Sequence, residues 1–117
     1  MRYHTIEVDG QEYNFRLNAD EIESIERTLK VKILDYVQDY SVITIIYLLQ
    51  RMWKHEDKHK TSHEEAIELF DTLVDNGYAI ESIAKQIIWP TCVVSGLLTQ
   101  SDLNRALNKA EEQATQK

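Results

Sequence analysis

Between Val42 and Trp53 the chain reads VITIIYLLQRMW. Ile43, Ile45, Ile46, Tyr47, Leu48, Leu49, Met52 and Trp53 spread apolar surface around most of a helical circumference. A helix that is apolar nearly all round has to be covered by its neighbours, so this segment asks for a central position. Its β-branched residues suit a strand, but its length and the continuation through Leu49-Gln50-Arg51-Met52 favour a helix from Val42 to about Lys54. Asp39 or Ser41 is placed to cap it. A chain of 117 residues has room for one domain built around such a helix, and needs no disulfide or metal staple to fold.

The N-terminus supplies part of the cover. Strands Tyr3–Val8 and Gln11–Leu17 flank Asp9-Gly10, a pair suited to the positive φ angles of a type I′ turn. A two-residue loop there sets Val8 opposite Gln11, Ile6 opposite Tyr13 and His4 opposite Phe15. Ile6, Tyr13 and Phe15 then share one face, and Glu7, Glu12, Asn14 and Arg16 the other. An isolated hairpin is marginal in water, so the apolar face must rest on helices.

Those helices carry their own start and stop signals. Asn18 is an N-cap with Glu21 as its capping-box partner, Leu17 and Ile22 form a hydrophobic staple, and Ile22, Ile25 and Leu29 recur at helical spacing. Val31, Ile33, Leu34 and Val37 suit a further short turn of helix after a bend. Ser62 with Glu65, or Thr61 with Glu64, opens a helix that buries Ala66, Ile67, Phe70, Leu73 and Val74. It stops at Asn76-Gly77 and turns Glu64, Glu68, Asp71 and Asp75 outward. A last major helix spans about Ile80 to Leu98 and is interrupted at Trp89-Pro90. The expected fold is mainly α, of the α+β class: an N-terminal hairpin followed by a compact bundle of about four to five helices. The expected organisation is one globular domain over residues 1–100, with the hairpin at 3–17 and the helices at 19–98. A polar, mobile helical tail is expected over residues 101–117.

Candidate chemistry is sparse. His55, His59 and His63 stand four apart, the spacing that places side chains on one helix face. A zinc site needs three or four ligands converging on one ion. The cap at Thr61-Ser62 breaks the helix that would align them, and Lys54, Lys58 and Lys60 oppose a cation. The run reads as a solvated connection, and no metal is expected. The carboxylates at 64, 68, 71 and 75, and those at Asp20, Glu21, Glu23 and Glu26, lie on polar helix faces, where exposure keeps them ordinary. Cys92 lies in the apolar stretch IIWPTCVVSGLL, which raises a thiol pKa and makes it inert. No nucleophile elbow, Walker loop or dinucleotide fingerprint occurs, and three glycines are few for a phosphate cradle. The chain is therefore not expected to be an enzyme, and no cofactor is expected.

Other class signals agree. A net charge of −7 disfavours a nucleic-acid surface, which needs clustered Lys and Arg. The lone cysteine points to a reducing compartment, and the start MRYHTIEVDG alternates instead of forming a leader. Neither apolar stretch, Val42–Leu49 or Ile87–Leu98, approaches the ~20 residues of a membrane span. The second stretch carries more apolar surface than a core stripe needs. Ile80, Ile83, Ile87, Val94 and Leu98 suffice for packing, which leaves Ile88, Trp89, Cys92, Val93, Gly96 and Leu97 as a candidate partner-binding face for a helix in the groove mode.

The order of these features resembles the tail assembly chaperones of long-tailed, non-contractile phages and prophages of Gram-positive bacteria. The resembling parts are IEVDGQEYNFRLNADEIESIERTL, VITIIYLLQRMW, KHEDKHKTSHEEAIELFDTLVDNG and YAIESIAKQII, covering about Ile6 to Leu98. Lys30-Val31 stands where the family often has a glycine, and Lys58-His59 replaces a proline-containing turn. The resemblance implies a non-enzymatic factor of the host cytoplasm, absent from finished virions. It would bind the tape measure protein and keep it soluble, with the tail tube protein recruited through a frameshift-extended form. No nucleic acid or membrane partner is implied, and self-association is left open. Two rivals stand beside it: an acidic regulatory or interaction module of a phage or prophage, and a small metal-dependent enzyme resting on the histidines.

Overall fold

The hairpin forms in the register that Asp9-Gly10 dictates. In the computed structural model, which describes residues 2–115 and side chains through Lys109, β1 (His4–Val8) pairs antiparallel with β2 (Gln11–Phe15). His4 faces Phe15, Ile6 faces Tyr13 and Val8 faces Gln11. Asp9 and Gly10 both have positive φ, 53° and 77°, as a type I′ turn requires. Val8, Tyr13 and Phe15 are buried, so the apolar face does rest on a core.

The helices follow in order: α1 (Ala19–Leu29), α2 (Ile33–Tyr36), α3 (Val42–Met52), α4 (His63–Asp75), α5 (Ile80–Ile83), α6 (Trp89–Val94) and α7 (Gln100–Thr115). Between α5 and α6 lies a π-helical turn, Ala84–Ile88. Asn18 donates its backbone N–H to Glu21 Oε1 at 3.0 Å, and Ser41 Oγ accepts from the Thr44 N–H at 3.2 Å. Each cap satisfies a backbone group that a helix start leaves without an intrahelical partner. The class is α+β, as the sequence implies, but the sheet has a third strand. β3 (Trp53–Lys54) pairs antiparallel with β2, so α3 ends at Met52 and the next two residues extend the sheet.

The core gathers Phe15, Leu17, Ile25, Ile45, Leu48, Leu49, Met52, Leu73, Ile83, Ile87 and Ile88. α3 is central along most of its length but not at its start. Val42 and Ile43 are exposed, Ile43 to 82%. α4 buries Ala66, Leu69 and Leu73, one stripe at helical spacing. Ile67 and Val74, expected inside, are exposed, because both lie roughly a quarter-turn round the helix from that stripe. The polar tail segment begins as α7, with the Asp102 carboxylate accepting from the Thr99 N–H and Leu103 buried; residues 116–117 lie outside the described residues.

The hairpin meets the last core helix just before Pro90, which has no N–H to give to the preceding turn. The Gln86 carbonyl, in the π-helical turn, takes a hydrogen bond from the His4 ring, with Nε2 2.8 Å from Gln86 O. At the end of α6, Arg16 Nη1 donates to Val94 O at 2.8 Å, and Ser95 Oγ accepts from the Leu17 N–H at 2.9 Å. Gly96, at φ 83°, closes the helix: its N–H bonds Val93 O while the Leu97 N–H bonds Cys92 O, the paired bonds of a Schellman motif.

Candidate functional site

The segment from Trp53 to Glu65 holds the densest chemistry among the described side chains. β3 leads into a tight return in which Lys54 bridges antiparallel to Lys60 and the Lys58 N–H bonds His55 O at 3.0 Å. Lys58 turns the corner in the left-handed region, φ 64°. The return lays His59 on His55, their rings stacked 3.8 Å apart and 22° from parallel. His55 in turn packs on Trp53, and Trp53 on Tyr13, forming a column of rings from the core to the surface.

The helix cap completes the site. Ser62 and Glu65 form the expected box: the Ser62 N–H donates to Glu65 Oε1 at 2.9 Å, and the Glu65 N–H to Ser62 Oγ at 3.1 Å. That leaves Glu65 Oε2 aimed back at the rings, 3.1 Å from His59 Nε2 and 3.6 Å from His55 Nε2. The other nitrogen of His59, Nδ1, is held by Asp57 Oδ1. Thr61 Oγ1 donates to Trp53 O at 2.8 Å and therefore accepts from His55 Nε2, 2.9 Å away. The cluster borders an open cleft of about 640 Å³ that also touches Asn18, Glu21 and Arg51.

The helix break at Thr61-Ser62 is present, as the sequence requires, yet it does not separate His55 from His59. It removes His63, which is exposed at the start of α4, and puts Glu65 in its place. Of the lysines counted against a cation, all three line the cleft, but Lys54 is paired: its ammonium lies 2.5 Å from Glu21 Oε2 and 2.8 Å from Arg51 O. Lys58 and Lys60 are exposed. Sequence reasoning missed Asp57 and the second oxygen of Glu65. The signal available was that a capping box occupies only one oxygen of its carboxylate.

The two stacked rings prefer opposite charge states. Hydrogen bonds to Glu65 and then Asp57 raise the pKa of His59 above the ordinary 6.5. Burial, reinforced by the nearby His59 charge, lowers that of His55 against the opposing pull of Glu65 and Asp57. The stability that His59 contributes is fully present below its unfolded value and is lost as pH rises through its elevated folded value. The contribution of His55 is present above its unfolded value and is lost as pH falls through its depressed folded value. A pH titration of the imidazole resonances is expected to give His59 a midpoint above 6.5 and His55 one below it. A common midpoint would contradict this geometry.

The face proposed around Trp89 is divided by the fold. Ile88 and Cys92 are fully buried and belong to the core, so they are unavailable to a partner on the folded protein. Burial also pushes the Cys92 thiol up to about 12, the inert state expected. The indole N–H of Trp89 donates to Val37 O at 3.2 Å, and its ring packs near Tyr40. Val93 and Leu97 are half-buried, and Gly96 serves the helix terminus. Among the described residues the exposed aliphatics lie elsewhere: Leu29 on α1, Leu34 on α2, Val42 and Ile43 on α3, and Ile67 and Val74 on α4.

Comparison of the chain with family models, with curated proteins and with solved structures finds no match.

Proposed function

We propose that this chain is a tail assembly chaperone of a long-tailed, non-contractile phage or prophage. It binds the tape measure protein and keeps it soluble until the tail tube forms around it. The observation that carries this reading is the exposed aliphatic set on α3 and α4, with Ile43 exposed to 82% at the start of a helix whose Ile45, Leu48, Leu49 and Met52 are buried. Ile67 and Val74, seven residues apart, share one face of α4 beside the acidic ridge of Glu64, Glu68, Asp71 and Asp75. Apolar contacts hold the helices of a client, while net charge of −7 keeps the pair in solution. The docking surface thus moves from the Trp89 helix to α3 and α4.

Lys30 ends α1 in the left-handed region, φ 55°; it belongs to the Lys30-Val31 pair that departs from the glycine the resembling sequences often carry, the residue that adopts this conformation without steric cost. No helix among the described residues is long and apolar enough to cross a membrane, which accords with work in the host cytoplasm. The proposed role is non-enzymatic.

The role predicts a very long reading frame of helical repeats just downstream, and the test is co-expression with its product. The soluble fraction of that product is expected to rise, and to fall back when Ile43→Asp is used in place of the native chain. A product equally soluble with and without this protein rules the role out. A slippery heptamer near the 3′ end of the gene is the expected sign of a frameshift-extended form that recruits the tube protein.

A further inference from the structure

We infer that His55, His59 and Glu65 form a binding site for a first-row transition-metal dication, zinc foremost, which clasps the 54–60 return to the start of α4. One ligand atom from each of the three side chains falls within 4.8 Å of the others. Zinc bonds of about 2.0–2.1 Å in tetrahedral array set neighbouring ligand atoms about 3.3 Å apart. The two nitrogen–oxygen separations, 3.1 and 3.6 Å, bracket that edge. Admitting the ion keeps these two edges but turns the rings out of their stack, so that both Nε2 lone pairs converge on it. The stacking of the rings carries both Nε2 atoms to the side of Glu65, which the capping box holds in place.

The surroundings are those of a ligand set. Asp57 holds Nδ1 of His59, which fixes the tautomer that leaves Nε2 for the metal and strengthens the ring as a donor. Metal binding displaces the proton from His59 Nε2, and the Nε2 proton of His55 passes to Nδ1, while Thr61 keeps its bond to Trp53 O. A dication with Glu65 and Asp57 ionised and both rings neutral makes the site neutral overall. Two imidazoles and one carboxylate suit zinc, nickel or copper, whereas calcium and magnesium demand an oxygen shell. Side-chain exposures of 14% for His55, 33% for Glu65 and 46% for His59 leave the three ligands within reach of solvent, from which water supplies a fourth. The site is independent of client binding.

Zinc titration of the full, untagged chain at neutral pH, against a competing chelator, tests the assignment. One saturable equivalent of zinc is expected, with no response to magnesium. Asp57→Asn is expected to weaken binding about tenfold, the usual effect of losing a carboxylate behind a histidine ligand. His59→Ala and Glu65→Gln are expected to weaken it further, and Glu65→Gln retains the capping bonds and so the fold. His63→Ala is expected to leave affinity unchanged. The assignment is overturned if no saturable binding occurs, if His63→Ala costs as much as His59→Ala, or if Glu65→Gln has no effect. Far-UV circular dichroism of each variant establishes that it is folded.

Discussion

Phe15→Ala is expected to cost about 3–5 kcal/mol, the range for deleting a buried aromatic ring. The ring is fully buried on β2, between the β1 and β3 partners His4 and Trp53. Total stability for a domain of this size is about 5–15 kcal/mol, so this one change consumes a large share of it. Urea unfolding should show a lower midpoint with an unchanged slope. A loss below about 1 kcal/mol, within the usual range for surface changes, would mean that the hairpin does not sit on the core as described.

The second large effect separates core from docking surface. Ile88→Asp places an unpaired carboxylate among Ile87, Ile83 and Cys92, all fully buried. Lost packing and desolvation together are expected to exceed about 4 kcal/mol, which is enough to unfold the chain. Ile43→Asp, at a position 82% exposed, is expected to change stability by less than about 0.5 kcal/mol. Circular dichroism melts of the two proteins check the pair. A folded Ile88→Asp would return that residue to the list of surface candidates.

Much of this architecture was legible in the residues because it depends on local rules. Asp9-Gly10 determines a register, and Asn18 with Glu21 and Ser62 with Glu65 mark helix starts through bonds that span three residues. What was hidden depends on contacts far apart in sequence. β3 is two residues long and exists because β2 lies alongside it; alone, Trp53 and Lys54 read as the end of a helix. Periodicity placed Ile67 and Val74 inside because both are apolar, whereas the position of the neighbouring helices selected Leu69. The histidine cluster was obscured for a similar reason. Spacing of four suggests a continuous helix, while the structure stacks His59 on His55 through a left-handed turn at Lys58 and recruits Glu65 from the next element.

The bonds joining the hairpin to α6 also have a bearing on time. His4 meets Gln86, Arg16 meets Val94 and Leu17 meets Ser95 across 82, 78 and 78 residues. Contacts of such span are the slow ones to form, even in a mostly helical chain. During synthesis at about 5–20 residues per second, the completed hairpin waits on the order of several seconds before its partners leave the ribosome. Until then its apolar face has α1 and α3 to rest on but lacks the cover that α6 supplies. The nascent chain is thus most prone to association with other chains during its own synthesis, and the last core helix to emerge is the one that ends that exposure.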